Sequence, residues 1–508
     1  MAADGGDLST LLSSATLVLV GQLFYSVSKL GERILIARML TPEAYGEVNV
    51  AIAVMSIAVT VALVGLRQGV PRYISRYDDP RDIRGAWVTG LAIGSAVGLV
   101  LTAGLILGAD TVATLLFDRG DAPTLVVLFA LAIPFIIGMQ IGVGAVRGLE
   151  NTIYRTYTRD ILYPGLRLIL LFGFLTVGAG ILAAGYAYIL AASATFVTIH
   201  LLLSRLLPLV GEVRTHAREM LAFSIPLVIS TLLSRLLTRT DTLMLGYLRS
   251  SFEVGLYSAA FPLASALVLV LSSFGFMYLP VASRLDAADK REEVDAIYKL
   301  TTKWIFILTF PGFLTLVAFP DDVITTLFGA EYAPASTALL ILAVGFFTRA
   351  AFGRSRETIS ALGYTTYLLV TNVFAFVINV GLNLALIPLY GVEGAAVASA
   401  VSFVGLNLAV FAFLRYRFDI SPFSKQARRT MTVLPLVMGP PGFLFASRVS
   451  LSLPSIVLFA IVAEVVAVAA VAVTGCLQPE DVIPVEFIED GTGIRVPLIR
   501  RFIPDSSA

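Results

Sequence analysis

Apolar residues run along the chain in stretches of about twenty, each long enough to cross roughly 30 Å of hydrocarbon. On that length they place spans at 12–38, 46–70, 85–108, 122–146, 160–178, 182–205 and 221–247. The series continues at 255–280, 303–327, 335–352, 366–389, 394–415, 431–447 and 453–474. The stretches lack the alternation of period two that marks an outer-membrane barrel. In lipid every backbone polar group needs a partner within the chain, so spans this apolar are expected to be helices. The pattern predicts an all-α integral membrane protein of about fourteen transmembrane helices.

Composition agrees: 57% of residues are hydrophobic and 14% charged, against about 25% charged in soluble domains. Cys476 is the one cysteine, which excludes an internal disulfide and a cysteine-based metal cluster. The segment from Met1 to Thr10 carries Asp4 and Asp7 and no basic residue, so the first span reads as a retained helix rather than a cleaved signal.

The formal charge is +1, and placement says more than the sum. Alternate loops are basic: Arg67, Arg72, Arg76, Arg81 and Arg84, then Arg147, Arg155 and Arg159, then Arg205, Arg214 and Arg218. The alternation persists to the C-terminus and gathers about 27 of the 36 Lys+Arg on one side. The opposite loops hold Arg38, Arg119, Arg249 and Arg448. The positive-inside rule then puts both termini in the cytoplasm, with the plasma membrane as the expected location.

A weak internal repeat divides the spans. Glu43-Ala44-Tyr45-Gly46 opens the second span, and Glu253-Val254-Gly255-Leu256-Tyr257 opens the eighth, about 210 positions later. Gly178-Ala179-Gly180-Ile181 is answered by Gly391-Val392-Glu393-Gly394. The expected organisation is an N-terminal six-helix lobe at 8–207 and a C-terminal six-helix lobe at 217–416, related as a parallel repeat. Two accessory helices at 431–474 and a cytoplasmic tail at 475–508 complete it.

Charges inside spans carry the candidate chemistry. Lys29 and Arg33 are four apart in the first span and point to one helix face; Arg235 and Arg239 repeat that spacing in the seventh. An ionisable residue at a span centre costs at least about 2.5–3.5 kcal/mol and usually faces an interior cavity. The bland alternative is snorkelling from span ends, or local pairs such as Glu32–Arg33 and Arg239–Asp241. The repeat-related placement of the four cations favours a cleft for an anionic substrate. Arg167, alone near the start of the fifth span, is read as snorkelling. Asn372, Asn379 and Asn383 form one stripe on the eleventh span, as helix glue or as a path for sugar hydroxyls. No phosphate-binding Gly-rich loop is present, and His200 and His216 lack metal-ligand partners at useful spacing. No catalytic residue, metal site, cofactor or nucleic-acid partner is expected.

The segment Gly31-Glu32-Arg33-Ile34-Leu35-Ile36-Ala37-Arg38-Met39-Leu40-Thr41-Pro42-Glu43-Ala44-Tyr45-Gly46 resembles the first-span signature of the polysaccharide and oligosaccharide flippases. These belong to the multidrug/oligosaccharidyl-lipid/polysaccharide exporter superfamily. Arg239-Thr240-Asp241-Thr242-Leu243-Met244-Leu245-Gly246-Tyr247 is similar to the family's seventh-span segment, and Ala361-Leu362-Gly363-Tyr364 matches a later landmark. The resemblance covers about 8–420 of the chain. It implies alternating access that moves a lipid-linked oligosaccharide, on a polyprenyl or dolichyl phosphate, from the cytoplasmic to the outer face. That transport would serve surface-glycan assembly or protein N-glycosylation, without enzymatic chemistry. Lys29, Arg33, Arg235 and Arg239 would hold the phosphate or acidic sugars, and Glu32 and Asp241 are candidates for ion coupling or for tuning the arginines. The implied partners are the bilayer, the lipid-linked glycan and glycan-assembly enzymes. Two other readings stay open: a cation-coupled drug or metabolite exporter of the same superfamily, and a membrane glycan-assembly enzyme.

Overall fold

The computed structural model describes residues 5–118, 122–273, 275–482, 486 and 502–503. Among them each predicted span falls on helix, and the chain divides into two compact units, Met1–Ser258 and Ala259–Ala508.

The first unit begins with α1 (Gly5–Met39), α2 (Pro42–Ala62), α3 (Leu66–Ile74), α4 (Pro80–Leu107) and α5 (Ala109–Leu116). It continues through α6 (Ala122–Gly148), α7 (Thr152–Arg155), a π-helical turn (Thr156–Leu162), α8 (Tyr163–Thr176), α9 (Leu182–Ser204) and α10 (Ala217–Leu248). The opening turns of α11 (Ser251–Ala266) close it. Thus α10, which the repeat makes the first helix of a second lobe, packs on α2 and α3 here.

Small residues set how closely these helices approach. A Cβ on Gly90, Gly94 or Gly98 of α4 would lie 2.5 Å from Val70, 2.8 Å from Ile141 or 2.4 Å from Ile137, so this glycine stripe is the seam of α4 on α6 and α3. The repeat landmarks have a physical cause as well. A Cβ on Gly46 would stand 1.8 Å from the Ser251 carbonyl oxygen, and one on Gly255 2.1 Å from that of Pro42. The starts of α2 and α11 therefore cross with backbone against backbone, and the Tyr45 hydroxyl donates to the Ser258 carbonyl at 3.1 Å.

Two departures from the expected spans shape the interior. The second span, read as one helix, breaks after Ala62 because Val64 (φ 46) and Gly65 (φ 72) take left-handed conformations. A side chain at Gly65 would meet the Ser224 carbonyl at 2.1 Å, so only glycine lets the chain turn into α3 beside α10. The fifth span starts in the wide turn of Thr156–Leu162, where the Thr158 hydroxyl returns to the Tyr154 carbonyl at 2.7 Å. That turn packs against Gly21 of α1.

The linker after α9 is tied down. Arg84, 7% exposed, donates to the carbonyls of Pro208 (2.8 Å) and Glu212 (2.5 Å). His216 meets the Asp82 carboxylate at 2.9 Å just before α10 begins.

The second unit holds the rest of α11, then α12 (Val268–Ser273), α13 (Gly275–Ala287), α14 (Arg291–Ala318), α15 (Pro320–Phe328) and α16 (Ser336–Ala351). After α17 (Ser355–Ala361), α18 (Thr365–Phe418), α19 (Lys425–Ala446) and α20 (Leu453–Val473) follow. Two predicted spans merge in α18, which reverses at Gly391 (φ 55, ψ −127). Past that break Gly394 lies so near the Leu386 carbonyl that a Cβ would be 2.4 Å away. The earlier landmark, Gly178 and Gly180, also has positive φ (85 and 57), so both halves keep glycine where one span turns into the next.

Helices α14, α19 and α20 share an apolar core that includes Trp304, Phe310, Leu434, Met438 and Ala467. The start of the tail is buried in it: Cys476 and Asp481 are 0% exposed, and the Asp481 carboxylate accepts from Lys303 Nζ (2.5 Å) and Trp304 Nε1 (2.8 Å). Beyond Val482 the tail lies outside the described residues, save Glu486, Phe502 and Ile503. Outward faces are apolar, with Val100 71%, Leu107 88% and Val465 64% exposed. Among the described residues eight helices are long and apolar enough to cross a membrane. Such outward-facing apolar helices belong in lipid.

Candidate functional site

A cavity of about 320 Å³ opens within the first unit, lined from α1, α2, α3, α6, α7, the π-helical turn, α8, α9 and α10. On α6 its wall runs from Ile136 to Arg147, about 16 Å at the rise of a helix. It is therefore an elongated channel rather than a round pocket.

Lys29 and Arg33 reach it from α1, and Arg235 and Arg239 from α10. Lys29 and Arg235 are exposed, while Arg33 and Arg239 are half-buried. The four-residue spacing of each pair turns both members to one face, and the packing of the first unit brings the two faces to one space. Lys29 sits in the electrostatic field of Arg33, Arg239, Arg167 and Arg235. Holding this many like charges together stores repulsion that an anion would relieve.

Glu32 also lines the cavity, but its carboxylate is bound by the Arg167 guanidinium. Arg167 is 8% exposed and lies 4.4 Å over the Tyr188 ring and 5.1 Å from that of Tyr163. The reading of Arg167 as a snorkelling residue is corrected: it is a buried clamp joining α8 to α1 and α9. Snorkelling requires a polar layer within reach, whereas Arg167 has a carboxylate and two aromatic faces around it instead. The pairing is not the local Glu32–Arg33 bridge considered above. By neutralising Glu32, Arg167 leaves the charges of Lys29 and Arg33 to whatever occupies the cavity.

Asp241 is fully buried and accepts a hydrogen bond from the Tyr257 hydroxyl at 2.6 Å, outside the cavity lining. The asparagine stripe belongs to the second unit. Asn372 accepts from Arg356 at 3.0 Å, and Asn383 donates to Asn379 at 3.1 Å, with both of the latter buried.

Four more cations line the cavity, all of which the charge pattern places in loops: Arg67, Arg147, Arg155 and Arg159. The break at Gly65 and the π-helical turn carry three of them inward. One signal was available, the four-residue spacing of Arg155 and Arg159, which matches the pairs in the first and seventh spans. The cations grade along the channel. Tyr45 lies in the field of Arg33 and Arg239, whereas Arg67 lies in that of Arg159, Arg235 and Arg147. Gln68, Gln140, Ser56, Thr60 and Asn49 supply neutral hydrogen-bonding groups between them.

Comparison with known proteins agrees with this architecture. A family profile described as polysaccharide biosynthesis protein matches residues 11–286, and a MatE profile matches residues 226–385. The probable low-salt glycan biosynthesis flippase Agl15 of Haloferax volcanii is 26% identical over 289 residues, which is 56% of this chain and 60% of that relative. The probable flippase AglR of the same organism is 28% identical over 176 residues, 34% of this chain and 37% of its own length. The matches thus span three fifths or less of these curated relatives. Among solved structures, the lipid II flippase MurJ in an inward closed conformation aligns over 89% of this chain and 98% of its own, with TM-score 0.71 and 14% identity. That likeness is one of fold. With its profile match covering more than half of the sequence, the chain belongs to the polysaccharide biosynthesis protein family.

Proposed function

We propose that the protein is a flippase that carries a lipid-linked oligosaccharide from the cytoplasmic to the outer face of the plasma membrane by alternating access. The observation that carries this reading is the cavity lining, in which Lys and Arg dominate and, among the described residues, the one lining carboxylate, Glu32, is held by Arg167. A polyprenyl or dolichyl tail is at home in lipid, and only the phosphate and sugars need a polar route. Taking that headgroup through hydrocarbon unaided is prohibitive. Lys29, Arg33, Arg235 and Arg239 hold the phosphate, and the graded cations let it advance without ever losing its counter-charge. The neutral amides and hydroxyls of the lining exchange hydrogen bonds with sugar in place of water. Two six-helix lobes, with Arg67, Arg147 and Arg155 toward the cytoplasmic side as the loop charges imply, supply the alternating access. The protein performs no covalent chemistry in this reading. The family and the named flippases among its relatives support it.

A cation-coupled exporter of the same superfamily would be expected to present acidic groups to its cargo. Here the acidic lining group is bound to an arginine.

The reading is tested by replacing Arg235 and Arg239 together with Gln. Each lost charge-assisted contact is worth about 1.5–3 kcal/mol, so surface glycan is expected to fall by at least roughly tenfold while membrane insertion is kept. Normal surface glycan in that variant would refute the assignment of these arginines.

A further inference from the structure

Helix α20 carries a carboxyl group that neither the cavity nor the core accounts for. Its 21 residues from Leu453 to Val473 are apolar except for Ser455 near the start and Glu464. At the rise of a helix Glu464 lies about 16 Å from Leu453, the midpoint of a span that just crosses roughly 30 Å of hydrocarbon. An ionisable side chain at that depth is costly and is kept where it meets a partner. Here one carboxyl oxygen of Glu464 is buried without a hydrogen-bond partner, and no ion pair reaches the residue among the described residues. The cations set beside this helix lie past its end. Lys303 is taken by Asp481 and the Cys476 carbonyl, and Arg429 is 3.7 Å from where a Cβ on Gly475 would stand. From Gly475 back to Glu464 is about 16 Å along the helix, too far for either side chain.

The helix has two faces. Ala463, Ala467 and Val471 recur every four residues and are buried in the core shared with α14 and α19. Val457, Leu458, Ile461 and Val465 are exposed. Glu464 stands at the edge between these faces, three residues from Ala467 on the packed side and three from Ile461 on the open side. Its carboxyl is within reach of whatever is seated on the open face.

Three occupants can be weighed by charge and depth. Amine-bearing lipid headgroups lie at the interface, about 15 Å from the midplane. A second copy docked symmetrically sets Glu464 against Glu464, like charge against like. Docked asymmetrically, it needs a lipid-facing cation within a span. Yet the cations of the span interiors, Lys29, Arg33, Arg167, Arg235 and Arg239, line the cavity.

We propose that the open face of α20 docks a partner membrane protein, whose spanning helix carries a lysine or arginine at its midpoint against Glu464. The aliphatic side chains of that face supply the packing. The carboxylate fixes depth and register, as a polar residue does between helices in lipid. The proposal is independent of what the cavity carries.

The test uses the full-length protein in liposomes and three synthetic helices of about 20 leucine and alanine residues. One has lysine at its centre, one has lysine near its end, and one has none. Resonance energy transfer is expected to show the central-lysine helix associating roughly tenfold more tightly than the other two, the scale of one polar contact between helices in lipid. Glu464→Gln, which keeps the shape of the side chain, is expected to erase that preference. Val465→Trp on the open face is expected to weaken binding, whereas Val100→Trp on α4 is not. Equal binding of the three helices, a preference that survives Glu464→Gln, or insensitivity to Val465→Trp would each overturn the proposal. In cells, a photo-crosslinker at Val465 is expected to capture a partner that one at Val100 does not. Glu464→Lys is expected to abolish that capture, and replacing the partner's mid-span cation with Glu to restore it. No such partner, or no restoration, again overturns the proposal.

Discussion

Replacing Arg167 with Met is expected to cost about 3–5 kcal/mol of stability, the range for removing one partner of a buried ion pair. The loss leaves the Glu32 carboxylate, 4% exposed, without its guanidinium beside Lys29 and Arg33. It also removes a cation from the faces of Tyr188 and Tyr163. The expected result is a large fall in the detergent melting temperature and in the yield of folded protein. The double variant Glu32→Gln/Arg167→Met is expected to recover most of the loss, because an apolar or neutral pair of similar volume costs far less than a lone buried charge. Glu32→Gln alone is expected to be harmful too, since it strands a guanidinium. Equal stability of the single and double Arg167 variants would show that the ion pair is not what joins α8 to α1.

The second large effect is expected at the crossing of α2 and α11. Gly255→Val puts branched carbon where a Cβ alone would lie 2.1 Å from the Pro42 carbonyl oxygen and 2.9 Å from its carbon. Backbone is the obstacle, so no rotamer change relieves it, and the helices must separate. Overpacking of this kind typically costs about 1–3 kcal/mol and sometimes more. Gly104→Val on α4 is the control, because a Cβ there meets nothing within 4 Å. A melting temperature that falls sharply for the first variant and little for the second supports the close crossing. Equal behaviour would contradict it.

Much of this was legible in the sequence, for physical reasons that can be named. Spans are legible because lipid imposes a length and an apolar composition on them. The cation pairs stood out because a charge inside a span is costly and therefore rare. Glycine landmarks repeated because Gly46, Gly255 and Gly391 sit where backbone meets backbone or φ is positive. What stayed hidden depended on contacts distant in sequence. The Glu32–Arg167 pair joins residues 135 positions apart, and no local spacing announces it. Arg67, Arg147 and Arg155 resembled ordinary cytoplasmic loop charge, because the break at Gly65 and the wide turn after Arg155 are backbone events with little trace in hydropathy. The asparagine stripe on α18 was visible, but its partner Arg356 and its internal Asn383–Asn379 bond were not.

These residues give the protein a coherent physical logic. Arg167 silences Glu32, the one acidic lining group among the described residues, α1 and α10 turn their cations to a common space, and the arginines on α3, α6 and α7 extend that charge along the channel. Such a lining suits an anionic headgroup whose apolar tail stays in lipid.

The most direct measurement is the fate of the lipid-linked glycan in cells that lack the protein. The flippase account predicts that the glycan, with all of its sugars in place, accumulates on the cytoplasmic leaflet while surface glycan falls. A truncated glycan would point instead to an assembly enzyme, and a complete glycan reaching the outer face at the normal rate would contradict the account.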